Sequence, residues 1–287
     1  MTRHDFLRVD DRTADELLGL AEAAAELEAR FHDRRLPALL EGCRIGLWWD
    51  GPGFRNRVAF ELGVELLGAT AVTIPGPVDG GEATADLGGY LGNWLDALVV
   101  RTPELTALET LASSTQAMTV NARTRQNHPC EILGDLAFVA STGRDLTEPL
   151  VVVFVGEPTN LLRSWQEAAA VLPLEVRQVC PPGFESASAA VVRHGFDGIL
   201  DDADVVYTDC WPSGLEADQR AAFADLRITG ALLGRCGPDA LFLPCPPVTR
   251  GEEVSADAMD HPACRVVEAK AWLLHAQNAL LVDGLCG

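Results

Sequence analysis

Residues 43–76, CRIGLWWDGPGFRNRVAFELGVELLGATAVTIPG, decide the fold class of this chain. The run CRIGLWW (43–49) is short and apolar, which predicts a buried strand, and VAFELGVELLGA (58–69) has a helical period. A second strand-like run, TAVTIPG (70–76), follows. A strand, a helix and a strand in this order predict a parallel sheet that is covered by helices.

The same alternation continues along the chain. DALVVRT (96–102) predicts the next strand, and a second series begins with the apolar run PLVVVFVG (149–156). Further strands are expected at 174–182, 203–211 and 239–247, and helices at 14–30, 83–95, 160–172, 185–195 and 262–282. The sequence therefore predicts two parallel-sheet α/β domains, with 128–145 as the link and a last helix that returns to the first domain.

Composition and charge exclude several classes of function. The chain has 22 basic and 42 acidic residues, a net charge of −20, so it repels nucleic acid and anionic membranes, and we expect neither as a partner. No apolar run approaches the ~20 residues of a membrane helix. The polar start is unlike a signal peptide, and the eight scattered cysteines form no CxxC pair. We expect a cytoplasmic protein without a metal site.

Polar side chains follow the predicted strands. In open parallel sheets, ligands bind outside the carboxyl ends of the strands. The residues in such positions are Arg55, Arg57, Arg101, Glu157, Asp209 and Cys245. Each of them alone could cap a helix or pair with a surface charge, but as a set they indicate ligand binding. The turn before residue 58 also opens a helix whose N–H groups can bind an anion, and Arg55 can add a forked contact.

Six segments, in this order and spacing, resemble the aspartate/ornithine carbamoyltransferase family, and most closely its ornithine branch. They are GPGFRNRVAFE (51–61), DALVVRT (96–102), HPCE (128–131), YTDCWPSG (207–214), FLPCPPVTRGEEV (242–254) and LLHAQNALL (273–281). The resemblance covers nearly the whole chain. Each motif alone has low specificity, whereas the ordered set is specific.

The resemblance implies an organisation and a reaction. It implies a carbamoyl-phosphate-type donor domain at 1–130, an amino-acid acceptor domain at 131–262, and a C-terminal helix at 263–287 that packs back on the first domain. It implies a homotrimer that acts on small-molecule substrates and needs no metal or organic cofactor. The acceptor amine attacks the carbamoyl carbon and phosphate leaves, so catalysis rests on positioning and on stabilising the developing charge.

The resemblance also implies roles for particular residues. Arg55 matches a phosphate-binding arginine, Arg101 an arginine that contacts the carbamoyl oxygen and phosphate, and His128 a histidine that hydrogen-bonds the carbamoyl oxygen. The implied donor-binding set is Gly53, Phe54, Arg55, Asn56, Arg101, His128 and Glu131, and the implied acceptor-binding set is Asn160, Asp209, Ser213 and Cys245. The implied catalytic residues are Arg101, His128, Asp209 and Cys245.

The chain departs from the family pattern where phosphate would bind. The family's Ser-Thr-Arg-Thr-Arg motif reads GFRNR at 53–57, so two hydroxyl ligands are absent. HPCQ reads HPCE, which puts the carboxylate of Glu131 where it repels phosphate, and an arginine near the start of the last helix is replaced by Leu273. Losing three or four charged hydrogen bonds would cost roughly 5–10 kcal/mol if the losses were additive. We therefore expect a degraded phosphate site and little turnover of carbamoyl phosphate.

Two hypotheses of different classes follow. The first is a divergent carbamoyltransferase-like enzyme, in specialised metabolism, that transfers a carbamoyl or related group to the amine of a small amino-acid-like acceptor. Its donor is either carbamoyl phosphate, bound weakly, or a carbamoyl or ureido compound without phosphate. The second is a non-catalytic homologue that serves as a partner subunit or a metabolite-binding protein. A turnover assay separates the two hypotheses.

Overall fold

The computed structural model describes residues 5–78 and 80–286, which form two compact units. The first unit ends at Arg144 and takes up the chain again from Lys270, and the second is Asp145–Ala269. The prediction of two α/β domains is confirmed. The division lies after residue 144, whereas the expected boundary at residue 130 falls at the start of a helix, Pro129–Ser141, that belongs to the first unit.

The first unit is built on a four-stranded parallel sheet. Its strands are β1 (Arg44–Trp49), β2 (Thr70–Ile74), β3 (Ala97–Arg101) and β4 (Met118–Arg123), in the spatial order β2-β1-β3-β4. Its helices are α1 (Ala14–His32), α2 (Phe54–Leu66), α3 (Thr84–Leu91), α4 (Leu105–Ser114) and α5 (Pro129–Ser141). Every residue of β3 is buried, as expected for an inner strand of a parallel sheet that helices cover on both faces.

The second unit is built on a five-stranded parallel sheet. Its strands are β5 (Leu150–Val155), β6 (Leu174–Val179), β7 (Val191–Arg193), β8 (Val205–Thr208) and β9 (Leu241–Pro244), in the order β7-β6-β5-β8-β9. Its helices are α6 (Asn160–Ala169), α7 (Ala217–Ala224), α8 (Gly230–Leu233) and α9 (Ala256–Met259). The last helix, α10 (Val266–Cys286), starts in this unit and continues from Lys270 in the first.

The C-terminal helix packs on the first unit, as predicted. The buried amide of Gln277 on α10 donates a hydrogen bond from Nε2 to Oδ1 of Asn56 on α2, over 2.8 Å. Leu273 is also buried, and its side chain lies against Gly134 of α5. In the part of the chain that the structure describes, no helix has the length and apolar character that crossing a membrane requires.

One sequence prediction was wrong, and one segment carries a helix that was not expected. Residues 185–195 contain no helix, and Val191–Arg193 forms an edge strand beside β6, because β-branched valines that can pair with an open strand outweigh the helix propensity of the preceding alanines. The expected link at 128–145 is largely the buried helix α5, which Pro129 opens at its first position. Most residues of α5 are buried, so this segment is an inner helix of the first unit.

Candidate active site

The residues expected to bind the donor lie at one edge of the first sheet, which we call the donor edge. Because β1, β3 and β4 are parallel neighbours, their carboxyl ends meet there. Gly53 follows β1 and caps α2, Arg101 ends β3, and His128 follows β4 and caps α5. The topology therefore brings together three residues that are separated by 75 positions of sequence, from 53 to 128.

Arg101 is buried against the start of α2. Only 8% of it is exposed, and its guanidinium touches the backbone of Gly53, where an added Cβ would lie 2.7 Å from Cζ. Gly53 also has φ +143°, a backbone conformation that residues with a side chain rarely adopt. The contact with Arg101 and the backbone conformation therefore both require glycine at this position. Among the described residues, no hydrogen bond or ion pair reaches the Arg101 guanidinium. Burial, and then Arg123, lower the pKa of Arg101 to about 10.

The other residues of the GFRNR turn have different surroundings. Arg55 is partly exposed, and its Cζ lies 5.0 Å from the ring centroid of Phe54. Phe54 is 68% exposed, so its ring does not fill a pocket of this unit. Asn56 is buried and donates from Nδ2 to the carbonyl of Ala122 over 3.2 Å. Asn56 thus ties α2 to β4 as well as to α10, which gives it a packing role in this structure.

Glu131 belongs to a buried charge cluster. Lys270, the chain's sole lysine, places Nζ 2.8 Å from Oε1 of Glu131 and 2.7 Å from Oδ1 of Asp135. The other carboxylate oxygen of Glu131 lies 3.4 Å from Nε2 of His128. All four side chains are at most 9% exposed. Burial opposes ionisation of Glu131, but the charge of Lys270 holds its pKa well below the usual value.

The charge cluster revises the sequence interpretation of Glu131. Its carboxylate is partly balanced by Lys270, which it shares with Asp135 and which lies one helical turn before Leu273, so the cation missing at 273 is matched by one at 270. Sequence reasoning missed this residue, although the fact that the chain has only one lysine was a usable signal. Burial, opposed in part by Glu131, lowers the pKa of His128 to about 3, so its imidazole is neutral at pH 7.

Sequence reasoning also missed Arg123, the last residue of β4. It is the register partner of Arg101 on the neighbouring strand, and its charge lowers the pKa of both Arg101 and His128. The signal available in the sequence was a strand, MTVNAR (118–123), that ends in arginine just before the HPCE motif. The donor edge therefore carries more positive charge than the motif comparison predicts.

The loop before His128 is held by amide hydrogen bonds. Asn121 donates to Oδ1 of Asn127 over 2.7 Å, and the hydroxyl of Thr124 donates to the same oxygen over 2.8 Å. The thiol of Cys130 donates to the carbonyl of Asn121 over 3.2 Å, and burial strongly raises its pKa. Cys130 therefore anchors α5 to β4 as a protonated thiol, which is a structural role.

The residues expected to bind the acceptor lie at one edge of the second sheet. Asn160 begins α6 after β5, Asp209 follows β8, and Cys245 follows β9, on three adjacent parallel strands. Asn160 and Cys245 are buried. Burial, and then the nearby charge of Asp209, raise the pKa of Glu157, which shares this edge. Two carboxylates on one edge favour a ligand with a protonated amine or an N–H-rich group.

The loops around this edge are organised by Glu253 of the RGEEV motif. Its buried carboxylate accepts from the backbone N–H of Trp211 over 2.7 Å and from that of Thr249 over 2.6 Å. One side chain thus joins the loops that follow β8 and β9. Ser213, expected to contact the acceptor, is exposed in the first of these loops, and among the described residues no hydrogen bond joins it to Asp209 or Cys245.

Comparison with known proteins identifies the family. The protein-family model described as aspartate/ornithine carbamoyltransferase, carbamoyl-P binding domain, matches residues 4–141. The family model described as aspartate/ornithine carbamoyltransferase, Asp/Orn binding domain, matches residues 148–283. An ornithine carbamoyltransferase of Syntrophus aciditrophicus is 31% identical over 97% of this chain and 98% of its own length. One of Chlorobaculum tepidum is 34% identical over 83% and 76%.

Solved structures agree with the sequence comparison. Ornithine carbamoyltransferase from Pyrococcus furiosus is 30% identical, with a TM-score of 0.89 over 97% of this chain and 96% of the other. The enzyme from Burkholderia thailandensis is 26% identical, with a TM-score of 0.89 over 99% of both chains. By its sequence and by its two parallel-sheet units, the chain belongs to the aspartate/ornithine carbamoyltransferase family.

Proposed function

We propose that this protein transfers a carbamoyl group from a phosphate-bearing donor to the amine of a small amino-acid-like acceptor. The observation that carries the proposal is Arg101, a buried guanidinium at the start of α2 that pairs with no carboxylate among the described residues. A buried cation without an acid is costly unless a ligand supplies the anion. The N–H groups at a helix start and a forked guanidinium together suit phosphate.

The proposed reaction divides into binding and charge stabilisation. The neutral amine nitrogen attacks the carbonyl carbon, a carbon–nitrogen bond forms, and the amine loses a proton. The carbon–oxygen bond to phosphate breaks, and phosphate leaves with the bonding electrons. Arg101 stabilises the negative charge that develops on oxygen, and the neutral imidazole of His128 polarises the carbonyl group without adding charge.

On the acceptor side, we propose that Asp209 and Glu157 favour a substrate with an amine. Asn160 and Cys245 line the same sheet edge and would orient it. The relatives named above are ornithine carbamoyltransferases, so ornithine and other diamino acids are the first acceptors to try. The amine that attacks must be deprotonated, and a carboxylate beside it can accept its proton directly or through water.

The donor site is altered relative to the family motif, and we propose that it binds phosphate more weakly than that motif would. The hydroxyls missing at Gly53 and Phe54 support the weakening, whereas the cations Arg123 and Lys270 argue against loss of the site. A donor that keeps an acidic group is thus favoured over a carbamoyl compound without phosphate. A weak site is also what the non-catalytic alternative requires, so that alternative is tested in the same experiment.

The test is a turnover screen. The purified protein is incubated with carbamoyl phosphate and each of several amino acids, and ureido product is measured by mass spectrometry beside released phosphate. We expect product with at least one amine-bearing acceptor, and none with Arg101→Gln. Phosphate binding without product from any acceptor would favour the non-catalytic homologue. Product that Arg101→Gln forms at the native rate would contradict the assignment of Arg101.

We further propose that the protein is a cytoplasmic homotrimer assembled through the first unit. Helix α2 exposes Phe54, Val58 and Leu62 at a spacing of four residues, which forms one apolar stripe, and β2, which packs beside α2, exposes Val72. A second copy of this chain would cover this face. All eight cysteines are free thiols, which fits a reducing compartment. Light scattering tests the assembly: Val58→Asp should reduce the mass, and a native monomer would contradict it.

A further inference from the structure

Arg101 and Arg123 end neighbouring strands side by side. They are register partners across β3 and β4, and the register shifts by one residue between Val100 and Arg101. Such an irregularity re-aims side chains at the end of a ladder. Adjacent strands lie about 4.8 Å apart, so the two arginines start from almost the same point of the sheet edge.

Neither of these arginines forms an ion pair with a carboxylate among the described residues, although the charge of Glu131 acts on Arg101 from farther away. In a chain with 42 acidic and 22 basic residues, many arginines of the described residues do form such a pair, for example Arg44 with Asp96 and Arg177 with Asp202. Arg125, two residues beyond Arg123, pairs with Glu104 over 2.7 Å. Within residues 5–78 and 80–286, no ion pair or side-chain hydrogen bond reaches the guanidinium of Arg101 or of Arg123. Two adjacent unpaired cations in an acidic protein point to an anionic ligand.

The charges around the pair support this. Arg123 lowers the pKa of its neighbour Arg101, since a nearby cation disfavours the charged guanidinium. Arg55 and Lys270 act on Glu131 from the same edge. Four cations therefore lie at this edge with three carboxylates, those of Glu131, Asp135 and Asp50, whose N–H donates to the carbonyl of Arg101, so the surplus is still positive. An arriving dianion would relieve the repulsion between the guanidiniums, and each guanidinium could hold two of its oxygens.

We propose that Arg123 is a donor-binding residue that forms, with Arg101, a clamp of two guanidiniums for the phosphoryl group of the donor. The inference deepens the proposed function and rests on it. Arg123 supplies a second guanidinium beside Arg101 at the end of the neighbouring strand. It compensates in part for the phosphate-binding hydroxyls that are absent at Gly53 and Phe54. As the carbon–oxygen bond of the donor breaks, the clamp stabilises the charge that collects on the leaving phosphate.

The experiment measures binding of inorganic phosphate by calorimetry, so that it does not depend on turnover. Arg123→Leu removes the charge, Arg123→Lys keeps the charge but loses the fork, and Arg125→Leu is the matched control two residues away. We expect Arg123→Leu to bind phosphate about 10- to 100-fold more weakly than the native protein and Arg123→Lys to bind it several-fold more weakly. The phosphate affinity of Arg125→Leu should equal that of the native protein. Circular dichroism checks that each variant is folded.

The outcomes separate this inference from the proposed function. If Arg123→Leu binds phosphate like the native protein while Arg101→Gln loses binding, the clamp is wrong and the proposed function stands. If Arg123→Leu and Arg125→Leu lose affinity equally, the effect is one of general charge and the clamp is also wrong. If neither the native protein nor Arg101→Gln binds phosphate, both the clamp and the phosphate-bearing donor are refuted.

Discussion

Replacing Lys270 with methionine should destabilise the protein strongly at neutral pH. The substitution keeps an unbranched side chain of similar length but removes the cation that lies 2.8 Å from Glu131 and 2.7 Å from Asp135. Each of these side chains is less than a tenth exposed, so water cannot replace the lost partner. Breaking a buried ion pair by removing one member costs about 3–5 kcal/mol of unfolding free energy. We expect Lys270→Met to lose that amount.

The loss should depend on pH with a definite sign. In the native protein the folded pKa of Glu131 is below its unfolded value, so its ion pair stabilises the fold above pH ~4.3 and that contribution disappears as the pH falls. In Lys270→Met, burial without a cation raises the pKa of Glu131. Its protonation at lower pH then removes the cost of burying an unpaired negative charge. The difference between the two proteins should therefore shrink between pH 7 and pH 5.

The measurement is urea unfolding, followed by circular dichroism and tryptophan fluorescence at several pH values. Arg30→Met serves as the control, because Arg30 pairs with Glu26 at 3.5 Å on the exposed face of α1 and should cost at most ~0.5 kcal/mol. Lys270→Met combined with Glu131→Gln should lose less than the sum of the single changes. A loss for Lys270→Met below ~1 kcal/mol at pH 7, or one that does not change with pH, would refute the reasoning.

Three further predictions concern the same two sheet edges. Glu131→Gln removes one negative charge but keeps the contact between Lys270 and Asp135, so calorimetry should give phosphate binding roughly 5- to 10-fold tighter, and unchanged affinity would contradict our electrostatic interpretation. Asp209→Asn should raise the KM for the amine acceptor by about tenfold or more without changing phosphate affinity, and an equal loss of both would contradict its acceptor role. An amine-reactive reagent should leave Lys270 unmodified in the folded protein, because its side chain is buried, whereas mass spectrometry that finds Lys270 modified before unfolding would contradict the charge cluster.

The sequence by itself determined the fold class and the family. Apolar runs along the sequence correspond to seven of the nine strands in the described part of the chain, because inner strands of a parallel sheet are apolar along their whole length. The ordered motifs from residue 51 to residue 281 indicated the family, which the comparisons confirmed. Local pattern failed for the edge strand Val191–Arg193, where pairing with β6 outweighed helix propensity.

Only the tertiary structure decided how the charges of the donor edge are arranged. The sequence alone indicates that Glu131 is an anion that repels phosphate, and no motif in it marks Arg123. The structure brings Lys270 from 139 residues away onto Glu131, and the sheet register sets Arg123 beside Arg101. Coulomb energy depends on distance and burial. Neither quantity is written in the order of residues, so a motif can identify which side chains meet a ligand, but only the fold shows which charges are already balanced.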